Sequence, residues 1–468
     1  MKFKTTIILF AVFLVILTFV LLFEYKGMGE KDEEEKLLAL SSDDVEKITF
    51  KREDETISFQ KDEEGEWFIT EPLEAKADKY EVDRLADDFS ELKIERVVEE
   101  VPEELEKYGI PQKEINLWFK DKDKPIKILI GMENPLGNTF FAKRDDETRV
   151  VLIPSSLKSL MEKSLFDFRK KNIFKFETDN VKSVKLRAKK TLWVASKKGE
   201  EWFFRNPVNA LAKSSKIDDI LSSLSSLKAK EFVSEEKQKD DVKKYGLDRP
   251  EYEITLGMPL ENQEVTFSLH KEEDKLYATT SLSSKVVEAE DTLLSDLEKE
   301  AGELREKEVA NFYSWEANRL HLKMGEIDWE LVKDEEDNWH FESPIKEEAD
   351  KSKIQTFIRK IESLEAEEFI DPPLNLNLKE YGLDNPQGEV KIWIEEDEDK
   401  EKVKEITVLI GSEDKEEKKV VVKNARFDYL FRVDSAFLEE FPKDIKDWKP
   451  EEEEKQGKEE KKEKELKE

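Results

Sequence analysis

The heptapeptide Glu66-Trp67-Phe68-Ile69-Thr70-Glu71-Pro72 recurs twice further along the chain. The later copies read Glu201-Trp202-Phe203-Phe204-Arg205-Asn206-Pro207 and Asn338-Trp339-His340-Phe341-Glu342-Ser343-Pro344, which gives a period of roughly 136 residues. From each tryptophan the three segments align without a gap for about 31 residues. Self-similarity of this length predicts one structural unit in three tandem copies, each of the size of an ordinary domain.

A second signature follows in each copy, where a tyrosine and a glycine precede a proline. The three instances are Tyr108-Gly109-Ile110-Pro111, Tyr245-Gly246-Leu247-Asp248-Arg249-Pro250 and Tyr381-Gly382-Leu383-Asp384-Asn385-Pro386. This pattern predicts a turn out of a short helix, because glycine readily ends a helix and proline cannot continue it. Residues that recur in every copy are interpreted as architectural, and those that define the repeat are Trp67, Pro72, Tyr108, Gly109, Trp202, Pro207, Tyr245, Gly246, Trp339, Pro344, Tyr381 and Gly382.

Hydrophobic periodicity predicts the elements of one unit. Residues 45–50, 56–60 and 66–69 alternate as strands do, as do the later runs 114–120 and 127–131 and their counterparts 389–395 and 405–411. A helix is predicted to start at Asp78 as N-cap, with Glu81 placed to complete a capping box. Its apolar stripe is Val82, Leu85, Ala86, Phe89 and Leu92, and the third copy has Ile354, Phe357, Ile358, Ile361 and Leu364.

Each unit is predicted to close with a helical segment. In the first two copies that segment leads into Phe168-Arg169-Lys170-Lys171 and Leu304-Arg305-Glu306-Lys307, and residues 438–448 are a looser match in the third. The predicted fold class is α+β, with three tandem copies of a mostly antiparallel sheet packed with helices, preceded by one transmembrane helix.

The amino-terminal region predicts a membrane anchor. Residues 7–23 form an apolar run interrupted only by Thr18, and Lys2 and Lys4 precede it. This run reaches the lower limit for spanning a bilayer and lacks the small-residue cleavage site of a signal peptide. We therefore expect an uncleaved signal anchor in the cell membrane, with residues 1–6 in the cytoplasm and the bulk of the chain on the extracytoplasmic side.

The remaining boundaries follow from composition and from the repeat. Residues 24–44 are predicted to be an acidic, solvated stalk, and residues 450–468, almost wholly Glu and Lys, a charged disordered tail. Between them lie repeat one at 45–176, repeat two at 177–314 and repeat three at 315–449.

The charge and the absence of cysteine exclude several classes of function. With 113 acidic and 80 basic residues the net charge is −33, which repels phosphate backbones, so nucleic acid is not an expected partner. The chain has no cysteine, which excludes disulfides, thiolate catalysis and a lipidated cysteine anchor. No cofactor is expected.

Candidate catalytic and metal-binding residues form no accepted motif. His270, His321 and His340 are widely spaced, without the helical pairing of zinc enzymes, and are interpreted as strand residues. Ser155-Ser156-Leu157-Lys158 and Ser225-Ser226-Leu227-Lys228 have serine–lysine spacing but lack the accompanying motifs. The loop between Gly131 and Gly137 lacks a phosphate-binding lysine, and the acidic runs 334–337 and 395–399 lack the calcium-loop arrangement, although weak calcium binding stays open.

From Val45 to Pro450 the chain resembles the bacterial family known as domain of unknown function 4340. The motifs that carry this resemblance are Trp-x-x-x-x-Pro, Tyr-Gly-Leu-Asp-x-Pro, Leu-Ile-Gly and Leu-Arg-x-Lys. Members of that family resemble membrane-anchored extracytoplasmic proteins, often encoded beside ABC transporter subunits similar to the gliding-motility export system. The resemblance implies an accessory role and assigns no catalytic residues. The chain departs from the pattern where Ser268-Leu269-His270 replaces Leu-Ile-Gly and where Tyr108-Gly109-Ile110-Pro111 is shortened.

Two hypotheses about function follow. The leading one is a non-enzymatic accessory or scaffold protein of the cell envelope, associated with an ABC-type transport or export system. The alternative is a cell-surface module that binds polysaccharide or peptide, either in grooves between units or on the recurrent tryptophans Trp67, Trp202 and Trp339, whose flat rings suit a sugar face. An enzyme is not expected, and the sequence does not indicate an oligomeric state.

Overall fold

The computed structural model describes residues 13, 16–19, 35–38, 40–259, 263–371, 377–395 and 403–450. Most of the predicted anchor at 7–23, the predicted tip at 1–6 and residues 451–468 of the predicted tail lie outside these residues. Within the described part, no helix has the length and apolar character needed to cross a bilayer. The chain divides into two compact units, Met1–Lys171 and Asn172–Glu468.

Repeat one forms a single antiparallel sheet of nine strands, in the order β4-β3-β2-β1-β6-β7-β8-β9-β5. The strands are β1 Val45–Lys51, β2 Thr56–Lys61, β3 Trp67–Glu71, β4 Ala75–Lys76, β5 Arg96–Glu99, β6 Lys113–Phe119, β7 Ile126–Glu133, β8 Thr139–Arg144 and β9 Val150–Pro154. Helix α1, Lys79–Ser90, connects the two edge strands β4 and β5, so the chain crosses the whole sheet between them.

Repeat two has the same strand order and the same nine strands. They are β10 Ser183–Ala188, β11 Thr191–Lys198, β12 Glu201–Asn206, β13 Ala210–Leu211, β14 Ala229–Ser234, β15 Tyr252–Met258, β16 Gln263–Glu272, β17 Lys275–Thr280 and β18 Val286–Ala289, with helix α2 at Ser214–Ser226. A shorter helix, Lys239–Lys244, precedes the second Tyr-Gly motif.

Repeat three has eight strands in the corresponding order. They are β19 Ala317–Met324, β20 Ile327–Lys333, β21 Trp339–Ser343, β22 Glu368–Ile370, β23 Gly388–Glu395, β24 Val403–Asp414, β25 Lys419–Asn424 and β26 Leu430–Asp434, with helix α3 at Lys351–Glu362. The predicted mostly antiparallel architecture in three repeated domains is confirmed, although the described residues of each domain are mostly β and contain one long helix.

The long helix of each repeat packs its apolar stripe against the sheet. In α1 the predicted stripe is buried, with Val82, Leu85 and Phe89 fully enclosed. Asp78 caps the helix by accepting a hydrogen bond from the backbone N–H of Glu81 at 3.4 Å, as predicted. The Glu81 carboxylate instead pairs with the ammonium of Lys163, so the predicted capping box does not form.

The closing segments differ from the prediction of one closing helix. Each is a series of short helical turns. The turns are Ser155–Leu157, Lys158–Met161 and Leu165–Phe168 in repeat one, Leu294–Leu297 and Ala301–Leu304 in repeat two, and Ser435–Glu440 and Ile445–Trp448 in repeat three. After its last turn the chain runs extended along the Trp-motif edge, where Lys213 N–H donates to the carbonyl of Leu304 at 2.8 Å.

The core of repeat one begins earlier than the predicted boundary at residue 45. Leu37 and Leu38, which fall in the predicted stalk, are both 1% exposed and belong to this core. Backbone bonds hold the segment, since Leu37 N–H donates to the carbonyl of Leu92 at 2.6 Å. Two adjacent leucines are therefore part of the folded domain, because burying their side chains outweighs the polarity of the residues around them.

Candidate functional site

The tryptophans of the recurrent motif lie inside the three domain cores. Trp67, Trp202 and Trp339 are 1%, 0% and 1% exposed, so no sugar ring can reach their faces. The interpretation of these rings as stacking platforms is therefore wrong, and their role is packing. The peptide bonds before Pro72, Pro207 and Pro344 in the same motif are cis.

The indole N–H groups of these tryptophans have different surroundings in the three copies. Trp67 Nε1 donates to Asp83 Oδ1 at 2.7 Å, and Trp202 Nε1 donates to Asp218 Oδ1 at 3.0 Å. The corresponding helix position in repeat three is Gln355, and the indole N–H of Trp339 is buried there without a hydrogen-bond partner among the described residues. Repeat three thus lacks one polar contact that its sister repeats make.

The Tyr-Gly motif covers the face of the sheet opposite the helix. In repeat one, Ile128 and Ile130 of β7 belong to the main core, whereas Leu129 between them packs with Tyr108 in a separate apolar cluster. Neighbouring strand residues point to opposite faces, so the motif seals the second face. The predicted turn is confirmed, because the glycines that follow each tyrosine adopt φ of 64°, 66° and 67°.

A close backbone approach explains both the Leu-Ile-Gly motif and its exception. A Cβ at Gly131 would collide with the carbonyl oxygen of Tyr108, and Gly411 has the same relation to Tyr381. In repeat two the strand position carries His270, whose ring lies against Gly246, where a Cβ would strike it. The departure at His270 is therefore a different packing at the same place, in which the imidazole fills the space.

Three other candidate residues, Ser225, His321 and His340, have structural partners. Ser225 is 3% exposed, and its hydroxyl donates to the carbonyl of Phe176 at 2.7 Å, which leaves no accessible nucleophile. His321 and His340 contact Asp328 and Asp334 at 2.8 and 2.7 Å on the surface. No cluster of three His, Asp or Glu side chains suited to a metal ion occurs in the part of the chain that is described.

A buried arginine joins repeats two and three. Arg305, from the closing segment of repeat two, is 2% exposed, and its Cζ lies 3.7 Å from the ring centroid of Phe369 and 4.5 Å from that of Tyr429. Its Nη1 donates to both carboxylate oxygens of Asp371, at 2.7 and 3.0 Å. We call this set of four residues the joint. A planar cation held between two rings and a carboxylate makes the two repeats one body.

Two further contacts surround the joint. The Tyr429 hydroxyl accepts a hydrogen bond from the backbone N–H of Leu211 at 3.4 Å, and burial raises the pKa of Tyr429 to about 12. Arg426 forms a two-point ion pair with Glu201, at 2.9 and 2.5 Å, and this guanidinium lowers the pKa of the Glu201 carboxyl. The apolar core of repeat three also takes in Leu211 of repeat two.

The closing motif of the sequence indicated Arg305, but sequence reasoning did not identify the residues that Arg305 contacts in the joint. Leu-Arg was recognised as a closing motif, whereas Phe369, Asp371 and Tyr429 were not singled out. In repeat three, the backbone N–H of Asp350 donates to the carbonyl of Trp448 as that of Lys213 does to Leu304, so Lys449 occupies the position that corresponds to Arg305.

Two open clefts occur on repeat three, of about 370 and 360 Å³. The first is lined by Asn338, Asp350 and Gln355, beside the third motif tryptophan. The second includes Tyr381, Lys419 and Arg432 among its lining residues. Lys419 pairs with Glu368 at 2.5 Å, and Arg432 pairs with Glu368 and with Glu417, each at 3.5 Å, so both cations already have carboxylate partners.

Comparisons with individual curated proteins and solved structures assign no relative to the chain. No curated protein matches the chain. Among solved structures, a DNA polymerase sliding clamp from Pseudomonas aeruginosa is similar at 8% identity and a TM-score of 0.16, covering 84% of this chain and 92% of the clamp. A second structure of that clamp, with ligand, gives 9% identity and a TM-score of 0.15, over 86% and 93% of the two chains. Scores this low carry no argument.

The family similarity covers nearly the whole folded region. Three matches, to residues 67–203, 202–376 and 339–453, follow one another along the chain. Each match begins at one of the recurrent tryptophans, Trp67, Trp202 or Trp339, in agreement with the three domains of the structure. The chain therefore belongs to the family described as Domain of unknown function (DUF4340).

Proposed function

We propose that this protein is a non-enzymatic scaffold or accessory component of the cell envelope. The observation that carries the proposal is that the recurrent motif residues pack within the domains. The motif tryptophans are buried in the cores, and the Tyr-Gly motifs pack on the sheets. The shared motif residues thus have structural roles, and Arg305 joins the second and third repeats, which supports a protein built to hold partners and not to catalyse a reaction.

The proposed setting is the extracytoplasmic side of the cell membrane, with residues 7–23 as an uncleaved signal anchor. The apolar run itself and the lysines before it support this placement. The proposed partner is an ABC-type transport or export system. The net charge of −33 is compatible with such a role, since it disfavours binding to nucleic acid and to anionic lipid surfaces.

The proposed topology can be tested because the chain has no cysteine. A single cysteine is introduced by Gly137→Cys, in a turn with open space around it, or by Thr5→Cys in the predicted cytoplasmic tip. A membrane-impermeant maleimide applied to spheroplasts should label the first variant and leave the second unlabelled until the cells are lysed. The reverse pattern, or equal labelling of both, contradicts the proposed orientation.

The proposed partnership is tested by purifying the tagged full-length chain from membranes in mild detergent. Mass spectrometry should identify ABC transporter subunits that are missing from a parallel purification of a tagged chain without residues 7–23. Recovery of no transporter subunit in repeated purifications would refute the accessory role.

A further inference from the structure

An exposed aromatic pair stands at the entrance to repeat three. Tyr313 and Trp315 are 62% and 66% exposed, and they flank the first residue of a short helical turn, Ser314–Glu316, that leads into β19. Their rings lie within 17° of parallel, with centroids 5.9 Å apart. The two rings therefore stack on each other, and most of each side chain contacts water.

The fold does not require these two rings. The same turn precedes the first strand of the other repeats, at Ser42–Asp44 and Thr178–Asn180. At the positions of Tyr313 and Trp315, repeat one has Ser41 and Asp43, and repeat two has Glu177 and Asp179. Polar residues serve equally well at this turn, so packing does not explain the aromatic ones.

Trp315 also differs from the other tryptophans of the chain. The chain has nine, and the other eight are buried or half-buried. Leaving the largest apolar side chain exposed has no benefit for stability, and exposed aromatic rings are typical of binding surfaces. The turn at Tyr313 and Trp315, where repeat three differs from the other repeats, is thus the position with the strongest indication of a ligand.

Polar groups suited to a hydroxylated ligand follow the pair closely in the sequence. The Glu316 carboxylate accepts a hydrogen bond from the backbone N–H of Tyr313 at 3.3 Å, which fixes the turn. Three residues beyond Trp315, Asn318 Nδ2 donates to the exposed carboxylate of Glu395 at 3.1 Å. A carboxylate retains free lone pairs and an amide retains both a donor and an acceptor, which are the groups that bind hydroxyls.

We propose that Tyr313 and Trp315 form a binding platform for the pyranose rings of a neutral polysaccharide. One face of a pyranose is apolar and stacks on an aromatic ring, while its hydroxyls point outward to carboxylate and amide groups. Nucleic-acid bases also stack on such rings, but a chain with a net charge of −33 repels their phosphates. This proposal does not depend on the accessory role with a transporter.

The test uses the full-length chain with four neutral probes: cellohexaose, chitohexaose, xylohexaose and maltohexaose. Binding is followed by titration calorimetry and by the tryptophan fluorescence of the chain. We expect at least one probe to bind, and Trp315→Ala to weaken it by roughly tenfold or more, as for an aromatic residue central to an interface. Trp315→Phe should retain part of the affinity because it retains a ring.

Tyr80→Ala provides a matched control, since Tyr80 is 72% exposed on α1, in repeat one. It should leave the affinity unchanged, and all variants should show wild-type circular dichroism. The proposal is overturned if no probe binds at millimolar concentration, or if Trp315→Ala binds as well as the wild type. The proposal is also overturned if the wild type binds no sugar and the purified Trp315→Ala variant lacks the transporter subunits, because the aromatic pair would then be a protein contact.

Discussion

Giving the indole N–H of Trp339 a partner should stabilise repeat three. In the sister repeats the same group donates to Asp83 or Asp218, whereas in repeat three it is buried beside Gln355 without a partner among the described residues. The perturbation is Gln355→Asp, which recreates the arrangement of the other copies. The Asp83 side chain is 38% exposed, so placing a carboxylate at this position requires little desolvation.

The expected gain follows from hydrogen-bond energetics. A net contribution of about 0.5–1.5 kcal/mol is typical, and a charged acceptor reaches roughly 1.5–3 kcal/mol, so we expect about 1–2 kcal/mol for Gln355→Asp. The reciprocal change, Asp218→Ala, leaves the indole N–H of Trp202 buried and unpaired and should cost about 1–3 kcal/mol. Gln355→Asn has the same length as aspartate without its charge and should give a smaller gain.

The chain contains several domains, so one global unfolding curve does not isolate repeat three. Hydrogen-exchange mass spectrometry of peptides from α3 gives the local opening free energy, with α1 and α2 in the same sample as internal controls. We expect roughly tenfold greater protection of α3 alone, which corresponds to about 1.4 kcal/mol. In a Trp339→Phe background the gain should vanish. A gain that persists without the indole, or no gain at all, would refute the reasoning.

The other predictions concern the joint, the surface charge and the close-packed glycines. Arg305→Ala should reduce the stability of repeats two and three by roughly 2–4 kcal/mol, because it removes a buried cation from between two rings and a carboxylate. Arg305→Lys should not restore the stability, and hydrogen exchange in both repeats measures the loss. Arg426 lowers the pKa of Glu201 below 4.5, so the ion pair stabilises the folded state above pH 4.5 and loses this contribution as the pH falls through the lowered pKa. The melting temperature of Glu201→Gln should therefore fall less steeply with decreasing pH than that of the wild type. Gly131→Ala should cost about 1–3 kcal/mol because its Cβ meets a carbonyl oxygen, whereas Gly137→Ala, with open space, should have little effect in denaturant titration.

Local patterns in the sequence predicted most elements of the domains. The first three strands were placed to within two residues at each end. The predicted stripes include every buried apolar residue of α1 and α3, although their last members, Leu92 and Leu364, lie just beyond the helices. This succeeded because the burial of a strand or an amphipathic helix repeats with the period of the element itself. The internal repeat supplied the domain count, because three independent copies of one pattern exclude chance.

Contacts between distant parts of the chain were beyond such patterns. The alignment showed that Trp67 recurs but not whether its face was open, since only the packed core reveals that the ring is enclosed. The capping box failed for the same reason, because Lys163, more than 80 residues away, takes the carboxylate of Glu81.

By itself the sequence determined the repeat, the strand and helix periodicity, the turns at the Tyr-Gly motif and the acidic character of the chain. Tertiary structure alone decided which aromatic rings are buried, which face the Tyr-Gly motif seals, and how Arg305 joins two repeats. The physical reason is that local periodicity depends on neighbours a few residues apart, whereas exposure and partner choice depend on groups brought together across the sheet and from the next domain.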